Sequence, residues 1–98
     1  MFSEGVQSKR RPAMVISEQD YQKTRDELIL AAISSNVDRA LCGDTELKHW
    51  KAAGLLYPSL ITGILRTTKK DIVHRRLGRL FQEDLGAVED NLRHIMES

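Results

Sequence analysis

Apolar positions in this chain gather into four short blocks and one long stripe. Ala13-Met14-Val15-Ile16 is a dense apolar run closed by Ser17. Pro12 precedes it, which a strand tolerates at its first residue because no ladder donor is required there. The pattern predicts a buried strand over residues 13–17. Leu28 to Ile33 is a continuous apolar run of strand length, so a second buried strand is expected over 28–34. Residues 58–68 and 72–80 are apolar and β-branched enough for a third and a fourth strand. Gly63 marks a bulge or a close backbone approach in the third, and Gly78 is the weak point of the fourth.

The segments between the blocks are polar. Residues 18–27 are read as a short helical turn or loop, and Asn, Asp and Gly punctuate a loop over 36–45. From 45 to 53 the pattern supports one or two helical turns, with Leu47 and Trp50 three apart and Gly54 as a C-cap. The clearest helix covers 82–96. Leu85, Val88, Leu92, Ile95 and Met96 fall on one stripe, and Glu83 and Asp84 occupy the first turn, where the helix dipole favours acids. Strands in succession followed by one terminal helix indicate a small α+β domain, a curved antiparallel sheet with a C-terminal amphipathic helix. No repeat, low-complexity tract or linker divides it, so residues 1–98 are read as a single domain.

Composition agrees with one modest core. A 98-residue chain buries roughly 60–70% of its unfolded surface on folding. The apolar fraction of 41% and the charged fraction of 30% are those of an ordinary soluble protein. No apolar run approaches the roughly 18 residues of a membrane helix, and no secretory signal is present, so no membrane partner is expected. Cys42 is the single cysteine, which precludes an internal disulfide and suits a reducing, cytoplasmic setting. His49, His74 and His94 lie in separate elements without ligand-like spacing, so neither a metal nor another cofactor is called for.

The net charge of +1 conceals an asymmetry. Residues 1–81 carry 14 Lys/Arg against 9 Asp/Glu, whereas 82–98 carry 1 against 5. The excess is densest between Arg66 and Arg79, where Arg66, Lys69, Lys70, Arg75, Arg76 and Arg79 oppose Asp71 alone. Such a stretch attracts phosphates, although a solvated strand face has the same composition. Three further cations, Lys9-Arg10-Arg11, lead directly into the first apolar block. Trp50 and Tyr57 are able to stack on bases, and core packing beside Leu47 and Leu55 is the competing account of Trp50.

Arg11-Pro12 before a short strand, Ala31-Ala32-Ile33-Ser34-Ser35, Ala53-Gly54-Leu55 with Pro58-Ser59, Ile64-Leu65-Arg66-Thr67 and Leu77-Gly78-Arg79-Leu80 follow one another in order. The series resembles the PemK/MazF family, toxin halves of bacterial type II toxin–antitoxin pairs, from about Phe2 to the C-terminus. The resemblance implies an SH3-like β-barrel with helices outside it. It also implies a metal-independent endoribonuclease that cleaves single-stranded RNA, including mRNA, works as a homodimer and is silenced by a cognate antitoxin. Members usually begin with a Gly-Asp-Val or Gly-Asp-Ile strand and a Phe-rich turn. Met1-Phe2-Ser3-Glu4-Gly5 matches the tail of that turn, so the family's first strand is expected to be missing.

Family chemistry needs a base for the ribose 2′-OH, an acid for the leaving 5′-oxygen and donors for the charge that grows on the phosphoryl group. By resemblance, Arg11 corresponds to the catalytic arginine, whose planar fork suits the non-bridging oxygens. Ser34 corresponds to the family's Thr or Ser, which donates one hydrogen bond while accepting another. Glu4, the one carboxylate before Arg-Pro, is the candidate base. Lys9, Arg10, Ser35 and Arg66 are candidates for substrate binding. Where some members carry Arg and Asp, this chain has Ile61 and Gly63, and with the short N-terminus this motivates an alternative: an inactive toxin-like module that sequesters antitoxin or RNA. A basic nucleic-acid-binding domain outside any toxin system is the third reading.

Overall fold

The computed structural model describes residues 4–8, 11–17, 23–39, 41 and 43–97. Its strands are β1 Glu4–Ser8, β2 Arg11–Val15, β3 Glu27–Ser34, β4 Thr45–Glu46, β5 Leu60–Lys69 and β6 Val73–Arg79, and helix α1 spans Gln82–Glu97. They form one antiparallel sheet in the order β4-β5-β3-β2-β1-β6, which is not closed among the described residues. Residues 23–25 are helical, and 3₁₀ turns cover Val37–Arg39 and Lys70–Ile72.

The expected strands and helix are present, with two additions. Glu4–Ser8 is a strand rather than the tail of a turn: β1 lies between β2 and β6 and pairs with both. Pairing on two sides, not local propensity, makes this segment extended. Thr45–Glu46 adds a two-residue edge strand on β5. The first apolar block also starts earlier than expected, because Arg11 and Pro12 already pair with Ser8 and Gln7.

Period-two alternation divides the sheet's apolar residues between its faces. Met14, Ala31, Ile33 and Ile61 pack with Leu47, Ala53, Leu55 and Leu80 and with Val88 and Leu92 of α1. Val6, Ala13, Val15, Leu28 and Leu30 form a second cluster with Val73. Leu85 is partly buried against the first cluster, whereas the end of the predicted stripe emerges, with Ile95 and Met96 exposed.

Polar contacts fix α1 to the sheet. Asp84 is buried, and its two oxygens accept the Lys48 amide at 3.0 Å and the His49 amide at 2.8 Å. Two turns further along, Asn91 Nδ2 donates to Thr45 Oγ1 at 2.6 Å. Outside Asp84, the exposed Glu83 carboxylate meets His49 Nε2 at 3.0 Å and Lys48 Nζ at 3.2 Å, and the His49 ring stacks on Phe81. The hydrogen bond from His49, then the hydrogen bond and charge of Lys48, hold the Glu83 carboxyl below its ordinary value of 4.5.

Gly63 lies in a bulge, as its position suggested. From Ala31 to Ile33 on β3, the partner strand runs from Leu65 to Ile61, so β5 carries extra residues. Thr62 Oγ1 donates to the Ala32 carbonyl at 2.8 Å and accepts the Ile64 amide at 3.2 Å, which satisfies groups that the interrupted ladder leaves over.

Asp84→Ala would leave two amides without their acceptor, and urea unfolding should show a loss of about 3 kcal/mol. Asp84→Asn, which keeps one acceptor, should lose about half as much. For Glu83 the sign follows from its lowered pKa: its contribution is present above 4.5 and disappears as pH falls through the folded-state value. The melting temperatures of wild type and Glu83→Gln should therefore differ at neutral pH and converge in acid.

Candidate active site

Arg11 opens β2 and Ser34 closes β3. The two strands pair as Ala13↔Ala32, Met14↔Ala31 and Val15↔Leu30. The ladder ends at Ala13↔Ala32, so Arg11 and Ser34 lie beyond it at the same end of the strand pair. Both residues line the same two clefts. Arg11 is exposed and Ser34 is half-buried. The Ser34 hydroxyl oxygen accepts the Asn36 amide at 3.1 Å, which orients it and leaves its O–H able to donate.

The first cleft, of about 440 Å³, is completed by Gln7 of β1, Arg75 of β6, Ser35, Asn36 and the segment from Gly54 to Tyr57. Two guanidinium groups line it and no carboxylate does, and neither Arg11 nor Arg75 is in an ion pair among the described residues. The second cleft, of about 790 Å³, is bordered by Leu41, Ile64 and Ile95 and contains Asp44 and His94. Arg11 and Ser34 thus stand where a cationic cleft meets a more apolar one.

The wall of the first cleft is locally determined. Ala53 N donates to His49 O, Gly54 N to Lys51 O and Leu55 N to Trp50 O, so the expected helical turn is a single turn. The last two bonds are the Schellman pattern, and Gly54 at its C′ position has φ +87°. A Cβ on Gly54 would overlap the Leu77 carbonyl, and one on Gly78 would come within 2.7 Å of the Ala53 carbonyl. These glycines let the turn lie directly on β6. Ser59 Oγ then donates to the Tyr57 carbonyl at 2.7 Å, which secures the far end.

The other expected site residues are distributed unevenly. Ser35 lines the first cleft, while Arg66 projects from β5 away from both clefts, where its register partner is Leu30. Glu4 does not line either cleft: it is largely shielded from solvent and forms an ion pair with Arg76 across β1 and β6. Lys9, Arg10 and Cys42 lie outside the described residues. Trp50 packs against the core beneath Lys51, whereas Tyr57 is exposed in the cleft wall. Gln7 and Arg75 had no individual sequence signal beyond the basic density around Arg75. Among the described residues, no three His, Cys, Asp or Glu side chains form a group able to hold a metal ion.

Fold and cleft together define a small α+β protein, one open antiparallel sheet carrying a basic, hydroxyl-lined site at its β2–β3 corner. The family model for the PemK-like, MazF-like toxin of type II toxin-antitoxin systems matches residues 3–96, and the chain belongs to that family. Solved structures agree on the fold. Mycobacterium tuberculosis toxin MazF-mt6 is similar with a TM-score of 0.81 at 17% identity, over 97% of this chain and 96% of that one. An endoribonuclease in complex with its cognate antitoxin, from a mycobacterial species, gives 0.83 at 10% identity, over 99% and 94%. The MazE-MazF complex (Form-I) of Deinococcus radiodurans gives 0.80 at 16% identity, over 99% and 95%. No curated protein sequence matches the chain at a significant level.

Gly54→Ala combines a left-handed backbone with a backbone clash, and urea denaturation should show a loss of about 3 kcal/mol. Gly86→Ala is the counterpart. Its added Cβ meets nothing within 4 Å on α1, and it should gain up to about 1 kcal/mol.

Proposed function

We propose that this protein is the toxin of a type II toxin–antitoxin pair, a metal-independent endoribonuclease acting on single-stranded RNA, including mRNA. The observation that carries this reading is that Arg11 and Ser34, at one end of the β2–β3 pair, line the same two clefts, in a chain that belongs to the MazF-like family. The 2′-oxygen attacks the adjacent phosphorus while the bond to the 5′-oxygen breaks. A base takes the 2′-OH proton and an acid supplies one to the 5′-oxygen, leaving a 2′,3′-cyclic phosphate and a 5′-OH end. The Arg11 fork neutralises the non-bridging oxygens, and the Ser34 hydroxyl donates a hydrogen bond to one of them. With Glu4 engaged by Arg76, Asp44 and His94 in the second cleft are the described groups available for proton transfer.

In this reading the protein works in the cytoplasm as a homodimer and is held inactive by a cognate antitoxin. The antitoxin-bound relatives of mycobacterial and Deinococcus origin support that partner class. One observation favours a second reading: no carboxylate or histidine lines the first cleft among the described residues, as would suit a module that binds RNA or antitoxin without cutting.

The purified protein should cleave a single-stranded RNA in the presence of EDTA. Arg11→Ala should slow cleavage by about 10²- to 10³-fold, the loss typical of a transition-state charge stabiliser. Ser34→Ala should slow it less, and Ser34→Thr should retain most of the rate. Equal rates for wild type and Arg11→Ala would remove Arg11 from the chemistry, and intact RNA bound by the wild type would favour the binding module.

A further inference from the structure

Tyr57 combines a secured main chain with an exposed ring. Its main chain is secured, by the Schellman turn ending at Leu55 on one side and by Pro58 and the Ser59 hydrogen bond on the other. Its side chain is nevertheless 66% exposed, beside Leu56 at 81%, in the wall of the cleft that holds Arg11 and Ser34. A large aromatic ring carried on fixed backbone and left in water contributes little to the core. It is, however, already positioned as a stacking surface.

Arg75 enters the same cleft from the edge strand β6. Its register partner is Gln7, whose own partner on β2 is Pro12, so one cross-strand row runs from Arg75 to the residue after Arg11. Two cations therefore serve the cleft from different strands. Their neighbours are differently placed: Arg76 is neutralised by Glu4, while Arg75 has no ion pair among the described residues. Gln7 and Asn36 add amide groups able to donate or accept.

We infer that Tyr57 and Arg75 form a nucleotide subsite beside the Arg11–Ser34 pair, with the Tyr57 ring stacking on an unpaired base and Arg75 holding a neighbouring phosphate. The inference rests on the single-stranded RNA reading and extends it to residues that position the strand without taking part in bond cleavage. An aromatic face accepts any base, so Tyr57 supplies affinity for an unpaired strand. Selectivity among bases falls to the hydrogen-bonding amides of Gln7 and Asn36.

The test uses a fluorescent 2′-O-methyl oligoribonucleotide, which cannot be cut by 2′-OH attack, so binding is read apart from catalysis. By anisotropy, Tyr57→Ala should weaken binding about 10-fold while Tyr57→Phe retains it, because stacking requires the ring and not the hydroxyl. Arg75→Gln should weaken binding and reduce the slope of log affinity against log salt by about 0.7, the contribution of one phosphate contact on a single strand. A fully paired duplex of the same sequence should be insensitive to Tyr57→Ala. Both side chains are exposed, so circular dichroism spectra and melting temperatures should be those of wild type.

Wild-type affinity in both Tyr57→Ala and Arg75→Gln would overturn the subsite even if the protein cleaves RNA. So would a wild type that does not bind the oligonucleotide, or a Tyr57→Ala variant weakened equally toward duplex and single strand. Conversely, the expected binding losses in a protein that never cleaves RNA would sustain the subsite while the nuclease reading fails.

Discussion

The site depends on one steric constraint, the contact between the turn at Gly54 and the backbone of β6 at Leu77 and Gly78. Neither glycine position has room for a Cβ against the opposing carbonyl. This approach brings the chain from Leu55 to Tyr57 over the ends of β2 and β3, and thereby turns a sheet corner into a cleft. The other end of the same turn is held by the buried Asp84 carboxylate on the amides of Lys48 and His49. Helix, turn and edge strand are consequently one mechanical unit. Two hydrogen bonds from backbone amides to a buried carboxylate on α1 fix a wall of the cleft that Arg75 also lines.

Much of this architecture was legible in the sequence because it is written in hydrophobic period. β3 and β5 are apolar runs, and α1 has a stripe with acids in its first turn, so each element carries its own signal. β1 does not. Glu4-Gly5-Val6-Gln7-Ser8 has one strong strand former, and its conformation comes from neighbours on both sides. The site follows the same division. Arg11 and Ser34 stood out through the family resemblance, but their placement at one end of the β2–β3 pair is a property of the strand pairing, which no local pattern encodes. Arg75 was hidden more thoroughly. β6 shifts register against β1 twice, between Gly5 and Val6 and between Gln7 and Ser8, so alternation cannot tell which of its cations face the cleft.

The densely basic edge strand β6 yields a specific charge pattern. A regular strand would place its cations alternately on two faces. Between the two shifts this alternation holds, and adjacent arginines receive different fates: Arg76 meets Glu4, the carboxylate that the family resemblance offered as a base, and Arg75 enters the cleft. The Arg76 end of this ion pair is exposed and the Glu4 end is largely shielded. Its effect is to keep the Glu4 carboxylate out of the cleft that Arg11 and Arg75 line. The acidic residues of the C-terminal segment act compatibly, since no residue of α1 lines the first cleft among the described residues. A net charge of +1 therefore coexists with a locally cationic site.

The β5 bulge imposes the corresponding asymmetry on the other side of Arg11 and Ser34. Thr62 satisfies the interrupted ladder with its own hydroxyl, which lets Gly63 pass beneath the end of α1, where an added Cβ would come within 2.9 Å of Ile95. Ile64 and Ile95 then border the second cleft instead of filling the core. The bulge thus lies on the side of the second cleft, which Thr62, Gly63 and Ile64 all line. On one side stand guanidinium and amide groups, and on the other aliphatic side chains with Asp44 and His94. The change from one surface to the other falls at Arg11 and Ser34, which line both clefts.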